Sequence, residues 1–162
     1  MVFLQTGKLD SLDEIAMVTD RSPLNDPLKL ELADALASVS GGKIHLVFAA
    51  GTSVSNALIE TVEDYHRELD DQCSVPVEGT ILRTDNTVDD LLAELESADM
   101  VMLTTTTHRR LPDLLFQQES DRIATRLDQP VLLVHARKSR RATFLEPVVD
   151  WLLFRNKEST SS

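Results

Sequence analysis

Five short apolar runs, separated by amphipathic stretches, constrain the fold of this chain more than any other feature of its sequence. The runs are EIAMVTD (14–20), KIHLVFAA (43–50), VPVEGTILRT (75–84), DMVMLTTTT (99–107) and QPVLLVHA (129–136). Near-continuous apolar runs of this length are typical of parallel strands that are covered by helices on both faces of a sheet. Successive parallel strands need crossover connections, which are right-handed. The sequence therefore predicts a single α/β domain built on a doubly wound, five-stranded parallel sheet.

The first predicted helix lies between the first two runs. Asp26 and Pro27 predict an N-cap followed by a first-turn proline. Apolar residues at helical spacing continue from there to Val39, and Gly41 with Gly42 predicts the end of the helix.

Three further helices fill the remaining connections. Residues 54–69 place apolar side chains on one face and charged residues on the other, and His66 falls on the charged face, where we expect it to be solvated. Thr87 and Asp90, three residues apart, predict a capping box at the start of the next helix. A last crossover helix is predicted around 112–128.

The charge of the chain excludes several classes of partner. The formal net charge is −11 and the isoelectric point is near 4.7. A surface of this sign repels nucleic acid and anionic lipid. Only five of the sixteen basic residues are lysine. Two readings are open, an ordinary acidic protein or a halophilic one adapted to high salt, in which screening offsets the repulsion.

Cysteine content and hydropathy indicate a cytoplasmic protein. Cys73 is the single cysteine, so an internal disulfide is excluded and a thiol-based metal site is disfavoured. The apolar runs fall far short of the roughly 20 residues that span a bilayer, and residues 1–14 do not resemble a signal peptide. No two histidines are spaced for a metal site on one helix.

In doubly wound sheets, ligands bind beyond the carboxyl ends of the strands, where the strand order reverses. If the first run forms the central strand, that position is flanked by Asp20 and the segment 104–110. Asp20 either contacts a ligand or caps the following turn. No Gly-x-Ser-x-Gly elbow, phosphate-binding P-loop or dinucleotide fingerprint occurs in the sequence. A response-regulator receiver is disfavoured because the acidic pair after the first strand is missing.

The segment DMVMLTTTTHRRLPDLLFQQESDRIATRLDQPVLLV (99–134) resembles the last third of the universal stress protein family. Members that bind ATP carry the pattern Gly-x2-Gly-x9-Gly-Ser/Thr after the fourth strand. Aligned without a gap, the pattern places Thr104, Thr107 and Gln117 at the glycine positions and Gln118 at the hydroxyl position. IAMVTD resembles the family's first strand, whose terminal aspartate contacts the adenine side of the ligand and corresponds to Asp20. The resemblance covers residues 14–136.

The departure from this pattern implies the branch of the family that does not bind ATP. All five glycines lie at or before Gly79, and a phosphate cradle needs backbone N–H groups that side chains obstruct. We therefore expect no cofactor, with ATP or AMP at a glycine-free loop as the alternative. The threonine hydroxyls with His108, Arg109 and Arg110 would hold a small anion. In the other reading, the threonines end a strand and the basic residues are solvated.

The tail RKSRRATFLEPVVDWLLFRNK (137–157) combines basic and apolar residues. It forms either a final helix on the domain's own core or a docking segment with Phe144, Trp151 and Phe154. Its basic cluster alternatively faces a membrane or an acidic partner. The family resemblance implies a homodimer through the last strand, with Val131 and Leu133 in the contact.

These observations predict three regions and a non-catalytic role. Residues 1–13 form a lead-in, 14–138 the α/β domain and 139–162 a C-terminal apolar extension. The resemblance implies a regulatory or dimerisation module with a degenerate nucleotide site. Its setting would be the cytosolic portion of an amino-acid or cation–chloride transporter, on the cytosolic face of the membrane without insertion into it. The alternative is a stress-response protein that binds ATP or AMP.

Overall fold

A computed structural model of the chain describes residues 2–5, 12–20, 25–104, 120 and 122–134. The strands are β1 (Val2–Gln5), β2 (Glu14–Val18), β3 (Lys43–Ala50), β4 (Val77–Arg83), β5 (Met100–Thr104) and β6 (Val131–Val134). The helices are α1 (Asn25–Ser40), α2 (Asn56–Asp70) and α3 (Thr87–Leu95). Residues 120 and 122–124 are also helical.

The described strands form one sheet in the order β1-β6-β5-β2-β3-β4. The five predicted strands are β2 to β6, and they pair in parallel as expected. The chain runs from β2 outward through β3 and β4, and then continues on the other side of β2 with β5 and β6. The strand order therefore reverses between β2 and β5, which confirms that the first apolar run forms a central strand.

β1 was not predicted. Residues 1–13 were predicted to be a lead-in, but residues 2–5 form a sixth strand that pairs antiparallel with β6. The parallel sheet is thus extended by one short antiparallel strand at its β6 edge.

Two apolar clusters lie on the two faces of the sheet. Ile15 and Met17 of β2 face α1 and α2, together with the buried residues Ala33 and Ala37 of α1. Ala16 of β2 belongs to the cluster on the other face, with α3 and the helical residues before β6. This alternation on β2 is what a strand covered by helices on both faces requires.

The end of α1 agrees with the prediction, whereas its buried face does not. The N–H groups of Gly41 and Gly42 donate to the carbonyl of Ala37 at 2.8 and 3.0 Å, and Gly41 has a φ of +76°. A positive φ is the conformation in which glycine ends helices. Val39, which the sequence places on the apolar face, is 91% exposed.

The two predicted helix starts are wrong in detail. α1 begins at Asn25, so Asp26 lies inside the first turn and is not the N-cap. The N-cap of α3 is Asn86, and its side chain makes no capping bond. Thr87 and Asp90 therefore form no capping box, and Asp90 instead accepts a hydrogen bond from the hydroxyl of Thr84.

None of the helices among the described residues is both long enough and apolar enough to cross a bilayer.

Candidate functional site

The carboxyl ends of β2 and β5 lie side by side where the strand order reverses. Met17 of β2 is level with Met102 of β5. Continuing this register by two residues brings Thr19 level with Thr104. Because side chains alternate along a strand, both threonines lie on the face that α1 covers. This end of the sheet is where a ligand of a doubly wound protein binds.

An ion pair from the first turn of α1 lies under the end of β2. Lys29 Nζ is 2.8 Å from Asp26 Oδ1, and both side chains are wholly buried. Lys29 Nζ also donates to the backbone carbonyl of Val18, the last residue of β2. The lysine side chain therefore ties the start of α1 to the end of the central strand.

Two further groups hold the carboxylate of Asp26. The hydroxyl of Tyr65 in α2 donates to Asp26 Oδ2 at 2.9 Å, and the N–H of Asp20 lies 3.5 Å from Asp26 Oδ1. Burial raises the pKa of Asp26 to about 6, and the neighbouring ammonium of Lys29 opposes that rise. Desolvation of the carboxylate thus outweighs its attraction to the lysine, as is common for buried pairs.

His66 of α2 is a second polar group at this end of the sheet, and the prediction that it is solvated is wrong. It is 7% exposed, and its Nε2 lies 2.9 Å from the hydroxyl oxygen of Thr19. Burial, with a smaller contribution from His45, lowers the pKa of His66 to about 4. The imidazole is therefore neutral at physiological pH.

Gly79 of β4 makes room for this histidine. A Cβ atom built on Gly79 would lie 3.0 Å from Nδ1 of His66, closer than ordinary van der Waals contact. A glycine inside a strand often marks a close approach of another group, and here that group is the His66 ring. Two adjoining clefts of about 180 and 380 Å³ open beside this contact, and His66 and Gly79 line both of them. Neither cleft is lined by Asp20 or Thr104.

Thr104 ends β5 with a hydroxyl that finds no partner among the described residues. The residue is 8% exposed, and its Oγ1 accepts and donates no hydrogen bond within that part of the chain. Buried hydroxyls are nearly always hydrogen-bonded, to protein, water or ligand. The Thr104 hydroxyl is thus a buried polar group without a hydrogen-bond partner among the described residues, and it lies where the strand order reverses.

A second histidine among the described residues, His45 of β3, has hydrogen-bonding and charged neighbours within the fold. His45 Nε2 lies 2.8 Å from the hydroxyl of Thr80, and Glu14 and Glu94 approach its ring at 3.4 Å. His45 is therefore a hydrogen-bonded residue of the sheet. No group of three metal-ligating side chains is assembled in the parts of the chain that the structure describes.

Comparison with known proteins identifies the fold. No protein-family model matches the sequence, and no curated protein matches it. Among solved structures, the hypothetical protein MJ0577 superposes with a TM-score of 0.64 at 16% identity, over 79% of this chain and 99% of that one. The universal stress protein of Archaeoglobus fulgidus in complex with dAMP gives 0.62 at 13% identity, over 79% and 100%. A universal stress protein in complex with cAMP gives 0.61 at 16% identity, over the same shares.

The chain has the fold of the universal stress proteins. The similarity that the sequence analysis infers from residues 14–136 is therefore confirmed at the level of the fold. At sequence identities of 13–16%, these superpositions show that this chain shares the fold, and they do not show that it shares a ligand.

The universal-stress-protein fold brings two of the predicted ligand residues together. Asp20 is exposed just beyond β2, and Thr104 is buried at the end of β5, the neighbouring strand. The remaining predicted ligand residues lie outside the described part of the chain: Thr107, His108, Arg109, Gln117 and Gln118.

Of the residues predicted to contact a second copy or a partner, only two lie in the described part of the chain. Val131 and Leu133 lie in β6, where they are level with Gln5 and Phe3 of β1. The predicted tail contacts Phe144, Trp151 and Phe154 lie outside the described residues.

Four polar residues near the strand ends were not predicted as part of this site: Asp26, Lys29, Tyr65 and His66. A signal for the first two exists in the sequence. Asp26, Lys29, Ala33 and Ala37 follow helical spacing, and the structure buries all four. A lysine that shares a helix face with alanines, one turn after an aspartate, indicates that the two charged side chains form a buried ion pair.

Proposed function

We propose that this chain is a non-catalytic regulatory module of the universal-stress-protein type whose nucleotide site is degenerate. The observation that carries the proposal is the wholly buried pair of Asp26 and Lys29. It lies at the end of the central strand, where such a fold takes its ligand. The chain's own ammonium and carboxylate supply the hydrogen bonds that a ligand would supply there.

The contacts of this pair support a filled site. Lys29 Nζ donates to the carbonyl of Val18, and Asp26 accepts from the hydroxyl of Tyr65. Groups already paired in this way gain little from a ligand, because binding would first break charge-assisted hydrogen bonds. The sequence adds the glycine-free segment after β5, in which side chains obstruct a phosphate cradle.

We further propose that the module acts by self-association and by contact with a partner in the cytoplasm. The setting that fits the family resemblance is the cytosolic portion of an amino-acid or cation–chloride transporter, joined to it in one chain or bound as a subunit. Co-purification of the tagged chain with a membrane fraction tests the second arrangement. Recovery in the soluble fraction alone, with no transporter segment in the same gene, would remove the transporter from the proposal.

A second candidate function is nucleotide binding. Two of the similar structures contain cAMP and dAMP. In this chain, the unpartnered hydroxyl of Thr104 favours a polar ligand next to Asp20. This candidate requires the glycine-free segment to hold a nucleotide through side chains.

One titration separates the two candidates. Thermal unfolding is followed with ATP, AMP, cAMP and dAMP, and ATP hydrolysis is measured in the same samples. A ligand at a hundredfold excess over its dissociation constant stabilises the native state by about 2.7 kcal/mol. The degenerate site predicts no shift with any of the four nucleotides and no hydrolysis.

Matched variants show where a nucleotide binds if a shift is seen. Asp20→Ala should abolish the shift, whereas Asp85→Ala, which removes an exposed aspartate beyond the end of β4, should leave it unchanged. A shift that depends on Asp20 would establish the second candidate and reject the first.

A further inference from the structure

A groove runs between α2 and β4 at the outer edge of the sheet. β4 is the last strand of the described sheet, and within that sheet it has a neighbour on one side only. The two adjoining clefts beside Gly79 are lined on the strand by Val77, Gly79 and Ile81. On α2 they are lined by side chains of one helix face: Glu63, His66, Arg67 and Asp70. The groove thus follows the edge strand on one side and two turns of helix on the other.

The three residues of β4 that line the groove direct their backbone groups out of the sheet. Just before the strand, the carbonyl of Pro76 accepts from the N–H of Ile44 in β3 at 3.0 Å. Just after it, the N–H of Thr84 donates to the carbonyl of Ala50 at 2.9 Å. Between these bonds the register with β3 is unbroken, and successive peptide groups of a strand point to opposite sides. The odd-numbered residues therefore present N–H and C=O groups to the outside, a template for a further strand.

His66 directs an acceptor into the middle of this groove. The hydroxyl of Thr19 donates to the carbonyl of Val47 at 3.4 Å, so it accepts from the Nε2–H of His66. This leaves Nδ1 as the acceptor of the neutral ring, and Nδ1 is the atom that faces Gly79. The residue is only 7% exposed, and no group in the described part of the chain donates to Nδ1. A donor that enters the groove would therefore satisfy an acceptor that the fold leaves open.

The charges around the groove favour a basic occupant. Glu63 and Asp70 are exposed on its helical side, and the guanidinium of Arg67 between them is paired with Asp64 at 2.7 Å. The net charge of −11 also attracts a cation from longer range. A lysine side chain that crosses Gly79 meets no Cβ atom there. Its methylene stem can lie on the apolar residues of the groove while its ammonium approaches the carboxylates and the imidazole nitrogen.

We propose that this groove binds an extended, lysine-containing segment of a partner protein, which adds to β4 as a further strand. The outward N–H and C=O groups of β4 bond the main chain of the partner, and the groove distinguishes its alternate side chains. The surface is separate from the strand ends where a nucleotide would bind, since neither cleft is lined by Asp20 or Thr104. The proposal rests on the proposed function in one respect, which is that the module acts by contact with a partner.

The probe is a fluorescent peptide of alternating lysine and valine, with blocked ends and about seven residues, an ordinary strand length. It is titrated with the full chain in about 0.15 M NaCl, which screens attraction to the distant charges of the protein, and binding is followed by fluorescence anisotropy. The control peptide has the same sequence with every backbone nitrogen methylated, so it keeps the charge and loses its N–H donors. We expect the unmodified peptide to bind at least about tenfold more tightly, because main-chain bonds carry the affinity of strand addition.

Two variants of the full chain locate the binding. Ile81→Pro removes an outward N–H of β4 and no bond to β3, which is the position where an edge strand tolerates proline. Glu63→Lys reverses a charge of the groove and covers the case in which the proline variant fails to fold. Its matched control is Glu68→Lys, because Glu68 lies on the same helix and lines neither cleft. We expect Ile81→Pro and Glu63→Lys to weaken binding about five- to tenfold, and Glu68→Lys to change it less than about twofold.

Several results would overturn the proposal. Equal binding of the methylated peptide, or equal losses in Glu63→Lys and Glu68→Lys, would mean that the peptide adheres to an acidic surface without adding a strand. No binding of the unmodified peptide would also reject it. A chain that dimerises, and that Ile81→Pro makes monomeric, would mean that a second copy occupies the edge instead. The nucleotide titration is read separately, so failure of the proposed function is distinguishable from failure here.

Discussion

Lys29 Nζ lies 2.8 Å from Asp26 Oδ1 at the end of the central strand, and both side chains are wholly buried. Each of these residues is a helical turn from the other on α1, and together they connect that helix to β2 and to α2. The pair is thus a structural joint between three elements, and in the proposed function it also occupies the place where a ligand is expected.

Lys29→Met leaves the Asp26 carboxylate buried without its cation. Breaking a buried pair by removing one partner costs about 3–5 kcal/mol, so we expect the free energy of unfolding to fall by that amount. Urea unfolding at neutral pH measures it. Lys43→Met is the matched control, because Lys43 is partly exposed and pairs with Glu14 and Glu78 at the surface. Exposed pairs contribute about 0–1 kcal/mol. Equal losses in the two variants would contradict the buried pair.

The double variant Lys29→Met with Asp26→Leu removes both charges. Replacing a buried pair by apolar groups of similar size is often neutral or stabilising by about 1–4 kcal/mol. We therefore expect the double variant to be more stable than Lys29→Met alone. If instead the double variant is less stable than either single variant, the hydrogen bonds to Tyr65 and Val18 contribute more than the charges do.

Gly79→Ala tests the contact between β4 and α2. The new Cβ would lie 3.0 Å from His66 Nδ1, and His66 is held in place by its bond to Thr19. Overpacking of this kind costs about 1–3 kcal/mol. Gly51→Ala is the control, since its Cβ would meet only Ser53 Oγ at 3.9 Å. In a His66→Ala background the cost of Gly79→Ala should disappear, and an unchanged cost would place the clash elsewhere.

The sequence predicts the parallel sheet well because each of its strands is a short apolar run with its own turn signals. β3 was predicted at Lys43–Ala50, its observed bounds. β1 was missed because four residues at the start of an unpatterned stretch carry no periodicity, and its pairing partner is some 130 positions away in the chain. Residues 2–5 form a strand because they pair with the edge of β6, and not because their own sequence indicates one.

The polar site was predicted less well than the fold. Asp20 and Thr104 were predicted as ligand residues from the rule that ligands bind at strand ends, and the structure has both at the ends of neighbouring strands. Their ligand role stays a prediction. The burial of His66 could not be inferred from α2 alone, because it depends on Gly79 in another strand and on Thr19 in a third. On α1 the buried apolar residues are Leu30, Ala33 and Ala37, whereas the predicted leucines Leu28, Leu32 and Leu36 are only partly buried. The packing of α1 on the sheet therefore buries a different face of the helix from the one that its apolar spacing predicts.

Thr104→Val removes the buried hydroxyl that has no partner among the described residues. An unsatisfied buried polar group costs about 1–3 kcal/mol, so the isosteric valine should raise the free energy of unfolding by about 1 kcal/mol. Thr19→Val is the control and should lower it, because the hydroxyl of Thr19 bonds His66. A loss of stability in Thr104→Val would mean that the hydroxyl has a partner, and loss of a nucleotide-induced shift in the same variant would identify that partner as the ligand.

His66 makes the stability of the fold depend on pH in a defined direction. Burial lowers its pKa to about 4, whereas an unfolded histidine titrates at about 6.5. The unfolded chain therefore binds a proton over this window that the folded chain does not. The contribution of neutral His66 is complete above pH 6.5 and is lost as the pH falls toward 4, with a slope of at most about 1.4 kcal/mol per pH unit.

Asp26 has the opposite dependence, so variants are needed to separate the two groups. Burial raises the pKa of Asp26 to about 6, and its contribution is present below the ordinary aspartate value and is lost as the pH rises through 6. The stability difference between wild type and His66→Asn should therefore shrink by about 2 kcal/mol between pH 7 and pH 4.5. The stability difference between wild type and Asp26→Asn should instead grow as the pH falls from 7 to 4.5. Urea unfolding at four pH values measures both, and a cost of His66→Asn that is the same at every pH would show that the imidazole is not buried in its neutral form.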